Sequence, residues 1–147
     1  MEKNKIVEEL GACGLDCSRC VAYELGEIKT LSETLLSQLT HFEKKAEVFS
    51  AFVPSLKHYD HFLAVMQFFV DASCKGCRAG QCLAQGCVAK TCHKEKGVDF
   101  CFQCEEYPCT RNQFSEELNN KWRVQNDLMA SIGIEAFYER SKKKPRY

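Results

Sequence analysis

The residues able to do chemistry in this chain are its cysteines, eleven in 147 residues. They open with Cys13-Gly14-Leu15-Asp16-Cys17-Ser18-Arg19-Cys20, a C-x3-C-x2-C run. They continue through Cys74, Cys77, Cys82, Cys87, Cys92, Cys101, Cys104 and Cys109. Three C-x2-C pairs stand out: Cys17/Cys20, Cys74/Cys77 and Cys101/Cys104. Such a pair on a tight turn brings two sulfurs to one ion, and two pairs complete a tetrahedral thiolate site with bonds of about 2.3 Å.

Cys74-Lys75-Gly76-Cys77 reads as a knuckle whose glycine lets backbone amides turn toward the thiolates. By spacing, Cys74, Cys77, Cys101 and Cys104 form one four-thiolate site. A second site built on Cys13, Cys17 and Cys20 needs a fourth ligand from downstream, and a grouping of Cys87 and Cys92 with Cys109 competes with it. His93 is able to replace a thiolate. Eleven thiols and one imidazole would fill three four-ligand sites. The expected cofactor is structural zinc, one to three ions with two favoured. A [4Fe-4S] cluster is the alternative.

The first three cysteines have the spacing that radical-SAM enzymes use to hold a [4Fe-4S] cluster. That chemistry needs a barrel of alternating strands and helices, and here two amphipathic helices follow the motif instead. Ferredoxin spacing, C-x2-C-x2-C-x3-C-P, is not reproduced either, because after Cys77 the next thiols come at five-residue steps. A thioredoxin-like active site needs a strand feeding a helix whose N-terminus lowers the thiol pKa, and no pair here follows a credible strand. Zinc therefore leads, with iron-sulfur or thiol-redox chemistry, in electron transfer or an enzyme, as the alternative.

The elements that must position these thiols are helical. From Thr30 to Phe52 the apolar residues Leu31, Leu35, Leu39, Phe42, Ala46 and Phe49 step by three or four, one continuous helical stripe with a capping box at Thr30 and Glu33. After Pro54 a second stripe runs Leu56, Tyr59, Leu63, Met66, Val70, so residues 30–71 read as a helical hairpin. Cys74 to Cys109 holds eight cysteines in 36 residues with no sustained apolar period, so something besides packing must order it. Within it Val88 to Lys96 forms a short helix stopped by Gly97. Thr110 and Gln113 form a further capping box before a stripe of Phe114, Leu118, Trp122, Leu128 or Met129, and Ile132, ended by Gly133. A last short helix carries Ile134, Phe137 and Tyr138, and the tail from Arg140 is read as frayed and solvated.

Lys plus Arg equals Asp plus Glu, 20 each, so no global field draws the chain to nucleic acid or anionic lipid. The apolar stretch Phe62 to Val70 is too short to span a bilayer. A cysteine density this high without a leader pattern points to a reducing, cytoplasmic location and to metal rather than disulfides. His58 and His61 are three apart on a helix but largely off its apolar stripe, and are read as solvated. Glu105 and Glu106 are read as caps or acceptors near the thiols. No residue is nominated as catalytic.

Cys13-Gly14-Leu15-Asp16-Cys17-Ser18-Arg19-Cys20, Cys74-Lys75-Gly76-Cys77-Arg78 and Cys87-Val88-Ala89-Lys90-Thr91-Cys92, running through Glu95-Lys96-Gly97-Val98 to Cys101-Phe102-Gln103-Cys104-Glu105-Glu106-Tyr107-Pro108-Cys109, are similar to a widespread prokaryotic family. Its members are small cysteine-rich proteins catalogued as a domain of unknown function. Ile132-Gly133-Ile134-Glu135-Ala136-Phe137 is similar as well. The resemblance implies a cytosolic metal-binding protein with no established activity. It carries over to Cys13, Cys17, Cys20, Cys74, Cys77, Cys87, Cys92, Cys101, Cys104 and Cys109. Cys82 falls where the family is irregular and is set aside. Val21 stands where the family often has proline.

These readings combine into a mainly α fold in one domain. It has an N-terminal cysteine motif (1–29), a helical hairpin (30–71), a cysteine-rich metal-ordered region (72–109) that carries a token β-hairpin at a knuckle, and C-terminal helices with a basic tail (110–147). The expected function is a zinc-ordered binding or regulatory module that presents a surface to a protein or small ligand, without nucleic acid or membrane.

Overall fold

The computed structural model describes residues 3–147. It is mainly helical, as the periodicity predicts. Among the described residues extended pairing is confined to isolated bridge positions, such as the antiparallel bridge between Leu10 and Asp16, and no strand forms, so the knuckles carry no β-hairpin. The chain divides into two compact units: one holds the residues up to Cys20 and from Cys74 onward, the other is Val21–Ser73. All eleven cysteines fall in the first.

The unit Val21–Ser73 contains helices α2 (Glu27–Gln38), α3 (Glu43–Phe49) and α4 (Tyr59–Val70). The single helix expected from Thr30 to Phe52 is broken. Its hydroxyls explain the interruption: Ser37 Oγ donates to the Thr34 carbonyl at 2.7 Å and Thr40 Oγ1 to the Ser37 carbonyl at 2.9 Å, offering the last turn an alternative to the helical ladder. His41 then takes a left-handed φ of 67°. The helix also begins earlier than the expected box at Thr30 and Glu33, with Gly26 as its N-cap. The buried face is correspondingly different. Ser32 is buried, whereas Leu31 and Leu35 of the expected stripe are 59% and 44% exposed.

The second stripe holds better. A 3₁₀ turn at Pro54–His58 leads into α4, which buries Tyr59 and Met66, and the Phe42 ring meets Tyr59 edge-on at 5.3 Å. Lys29 Nζ, near the start of α2, donates to the Ala72 carbonyl beyond the end of α4 at 2.9 Å, which makes the two helices antiparallel. The expected hairpin is therefore present, built from three helices. His58 and His61 lie exposed with ring centres 6.1 Å apart, as a solvated pair.

The cysteine-bearing unit contains α1 (Lys3–Glu9), α5 (Ala89–Glu95), α6 (Glu116–Ile132) and α7 (Ile134–Lys142). Helices α5 and α7 match the sequence reading closely, and α6 matches it over its body and its stop at Gly133. Helix α1 was not anticipated, since seven residues hold too few apolar positions to show a period. The start of α6 also differs: Ser115 caps it, accepting from the Leu118 N–H at 3.4 Å, and Gln113 at φ 51° lies outside the helix, so the Thr110/Gln113 box is not used.

Ile6, Leu10, Phe100, Met129, Phe137 and Tyr138 form the core, each at most 5% exposed. Each large apolar side chain buried there contributes roughly 1.5–3 kcal/mol. The cysteine-rich segment supplies one member, Phe100, and Arg78 spans it by donating from Nε to the Leu10 carbonyl at 2.9 Å, with its guanidinium 5.2 Å above the Phe100 ring centre. Gly14 permits the close approach of the first cysteine loop to α6. Its φ is +88°, and a Cβ there would stand 2.9 Å from Met129 Cε.

The basic tail is docked rather than frayed. Arg19 donates to the carbonyls of Lys144 and Ser141 at 2.7 and 2.8 Å, and Arg146 Nε donates to the Asp16 carbonyl at 3.1 Å. Beneath them Asp16, its side chain 3% exposed, pairs with Arg19 at 2.8 Å and Lys142 at 3.0 Å. Lys142 also reaches Glu9 at 2.7 Å, which accepts from the Tyr138 hydroxyl at 2.6 Å. Burial pushes both carboxyls up, but hydrogen bonds outweigh it and hold them below their usual range, from Ser18, Lys142 and Arg19 for Asp16 and from Lys142, Tyr138 and Ser18 for Glu9. We expect Asp16→Asn to leave Arg19 without its counter-charge and Lys142 with Glu9 alone, and to cost on the order of 3 kcal/mol in urea unfolding. An unchanged midpoint would show that the network does not hold the tail.

Candidate metal centre

The two-way split of the thiols begins with backbone turns. Cys20 N–H bonds the Cys17 carbonyl at 3.1 Å and closes the first C-x2-C loop. In the second, Gly76 takes φ +96°, which a residue with a side chain rarely adopts, and its N–H donates to Cys74 Sγ at 3.3 Å. This is the amide-to-sulfur contact expected of a knuckle. Cys104 N–H bonds the Cys101 carbonyl at 3.1 Å in the third, and the Gln103 side chain accepts from the backbone of Asp99 and Phe100 at its entrance.

The first and second pairs meet. Cys17 Sγ and Cys77 Sγ lie 3.6 Å apart although sixty residues separate them in sequence. Sharing one proton pushes the Cys17 thiol down to about 6 and Cys77 up, so the pair loses its first proton readily and its second reluctantly. Cys74 is raised by burial and by the nearby Cys82, Cys20 and Cys17. Cys13 adjoins the same group. A Cβ at Gly11 would stand 3.3 Å from Cys13 Sγ and 3.5 Å from Cys17 Sγ, so both sulfurs flank one point. Cys13 is buried, which pushes its thiol up to about 12.

The third pair belongs to a second group. Cys92 on α5, Cys101, Cys104 and Cys109 together line a cavity of about 40 Å³. Burial raises Cys101 and Cys92, and the sulfurs of Cys109 and Cys104 add to the effect on both. Trp122 of α6 also lines this cavity, and its buried indole N–H has no closer partner than the Cys101 sulfur. The same indole acts to lower the Cys101 thiol, the direction a donor facing a thiolate gives. His93, treated above as a substitute ligand, is buried beside Cys92 with Nδ1 2.9 Å from the Ala89 carbonyl, and burial pushes its pKa down. Glu106 is ion-paired with Lys96 and so is a surface partner.

The structure thus joins Cys77 to Cys17 and gathers Cys101 and Cys104 with Cys92 and Cys109, in place of the grouping of Cys74, Cys77, Cys101 and Cys104 that spacing suggested. Cys87 lies within electrostatic reach of Cys13, while Cys82 is near Cys74 and Cys77. All eleven cysteines are free thiols. Among the described residues no three His, Cys, Asp or Glu side chains stand close enough, as placed, to share one metal ion. The donors still fit one, since a knuckle amide already points at Cys74 and the Trp122 indole N–H faces Cys101 in the second group.

One residue that ties the groups together was missed from sequence. Asn126, fully buried in α6, donates from Nδ2 to the Cys13 carbonyl at 2.9 Å and accepts at Oδ1 from the Phe102 N–H at 3.1 Å. It stands between Trp122 and Met129 on the apolar stripe, and a polar residue at a core position was the available signal. Cys101 N–H adds a bond to the Ala12 carbonyl at 2.9 Å. We expect Asn126→Leu to strand Cys13 O and Phe102 N and to cost on the order of 3 kcal/mol by urea titration. A loss within error would mean the loops are held elsewhere.

Fold and thiol arrangement define a mainly helical, cysteine-rich domain. The chain belongs to the family described as Protein of unknown function (DUF3795), whose model matches residues 9–114. Searches among curated proteins and solved structures find no match. Among the described residues no helix is long and apolar enough to cross a membrane.

Proposed function

We propose that the chain is a cytoplasmic zinc-binding protein with two structural thiolate sites, and that it serves as a binding or regulatory module. The first site is Cys17, Cys20, Cys74 and Cys77, and the second is Cys92, Cys101, Cys104 and Cys109. Cys13 and Cys87 complete neither set of four and act as neighbouring thiols.

The observation that carries this reading is the 3.6 Å separation of Cys17 Sγ and Cys77 Sγ. Two thiolates on one tetrahedral ion with bonds of about 2.3 Å stand about 3.8 Å apart, the edge of the tetrahedron. In a [4Fe-4S] cube each thiolate sits on a different iron, and the sulfurs stand farther apart. The contact therefore favours a single ion over a cluster. It also joins two C-x2-C pairs, the strongest zinc pattern that cysteine spacing offers.

The chemistry the metal supplies is cross-linking. Closed sites of four protein ligands leave no position for substrate, which supports a scaffold over an enzyme. The test is elemental analysis of protein purified without oxygen. Two zinc ions per chain are expected, and iron in near-integral ratio without zinc would overturn the reading.

A further inference from the structure

The docked tail builds a cavity that the thiol sites do not use. Its volume is about 300 Å³, at the lower end of the range for small-molecule sites. Two helical faces form its sides. Helix α6 contributes Lys121, Val124, Gln125 and Leu128, spaced i, i+3, i+4 and i+7. Helix α7 and the turn after it contribute Phe137, Arg140, Ser141 and Lys144 with the same spacing. That repeat places the four α6 residues on one face, and Phe137, Arg140 and Ser141 on one face of α7, with Lys144 following in the turn. The first cysteine loop, through Leu15, Asp16 and Arg19, makes the third side.

The charge at this cavity is one-sided. Lys121, Arg140, Lys144, Arg19 and Arg146 line it against Asp16 as the one carboxylate among the described lining residues. Asp16 is already neutralised by Arg19 and Lys142. The side chains of Lys121, Arg140 and Lys144 form no ion pair among the described residues. Three unmatched cations facing one concavity in a chain of zero formal net charge are a local field for an anion.

Two further features narrow the ligand. Val124 is 67% exposed and stands with Leu128 on the α6 wall, giving an accessible apolar surface beside the cations. Gln125, one turn from Lys121 on the same wall, lines the cavity with a side-chain amide whose oxygen is packed against Gly14. We propose that this cavity binds a hydroxylated organic phosphate, with the phosphate on Lys121, Arg140 and Lys144, the apolar body along Val124 and Leu128, and a ligand hydroxyl hydrogen-bonded to the Gln125 amide group.

Adenosine monophosphate carries all three elements and serves as the probe, with adenosine and inorganic phosphate as the halves. Isothermal titration of the metal-loaded chain is expected to give a Kd below about 1 mM for adenosine monophosphate, and binding at least about tenfold weaker for each half. The exposed charge reversals Lys121→Glu and Arg140→Glu should each weaken the probe roughly tenfold with an unchanged thermal midpoint. Val124→Asp, at an exposed position, should do the same if either reversal disturbs folding. The proposal is overturned if the probe does not bind at 1 mM, if inorganic phosphate binds as tightly as the probe, or if the folded variants bind it unchanged.

Discussion

Stripping the metal under reducing conditions is expected to abolish the cooperative unfolding transition of the cysteine-bearing unit. Binding of a structural zinc in small thiolate domains supplies about 10–16 kcal/mol, whereas a whole domain is stable by only about 5–15 kcal/mol. On the proposed two-zinc reading, losing both ions therefore removes more than the net stability. The apolar content of the region explains why packing does not compensate. Between Cys74 and Cys109 the only fully buried large side chain is Phe100, and Leu83 is 59% exposed. Circular dichroism and a thermal melt of chelated against zinc-restored protein measure the effect. A chelated chain that melts with the same midpoint and the same cooperativity would show that core and hydrogen bonds suffice.

The second large effect is expected from single ligand substitutions, read as metal content. Cys77→Ser should lower zinc from two to one per chain, because serine is a poor ligand for zinc and the other three thiolates of the first site cannot close a tetrahedron. Cys101→Ser should do the same at the second site. Cys82→Ser serves as the contrast, and should leave two ions bound and stability within about 0.5 kcal/mol, since it replaces a thiol outside both sets. Loss of zinc on Cys82→Ser, with retention on Cys77→Ser, would reassign the first site.

The elements with strong signals were legible: α5 stops before Gly97, α6 before Gly133, and Phe137 and Tyr138 of α7 are buried. The thiols as a class were legible too. Their grouping was not, because C-x2-C spacing fixes which two sulfurs share a turn and says nothing about which turns meet. That choice rests on long-range links such as Arg78 to Leu10 O and Asn126 to Cys13 O, which have no sequence period. The break after α2 escaped notice because an apolar stripe spans it unbroken. Leu31 and Leu35 continue that stripe yet lie exposed, while Ser32 beside them is buried. The tail misled for a different reason. Lys142 and Arg146 read as solvated charge until Glu9 and Asp16, more than a hundred residues away, supply partners.

The most direct measurement is X-ray absorption at the metal edge of the protein as purified. The account predicts zinc, with a single shell of four sulfurs at about 2.3 Å and no metal neighbour. A shell dominated by nitrogen or oxygen, an iron edge with short iron-iron distances, or protein that folds and carries no metal at all would contradict it.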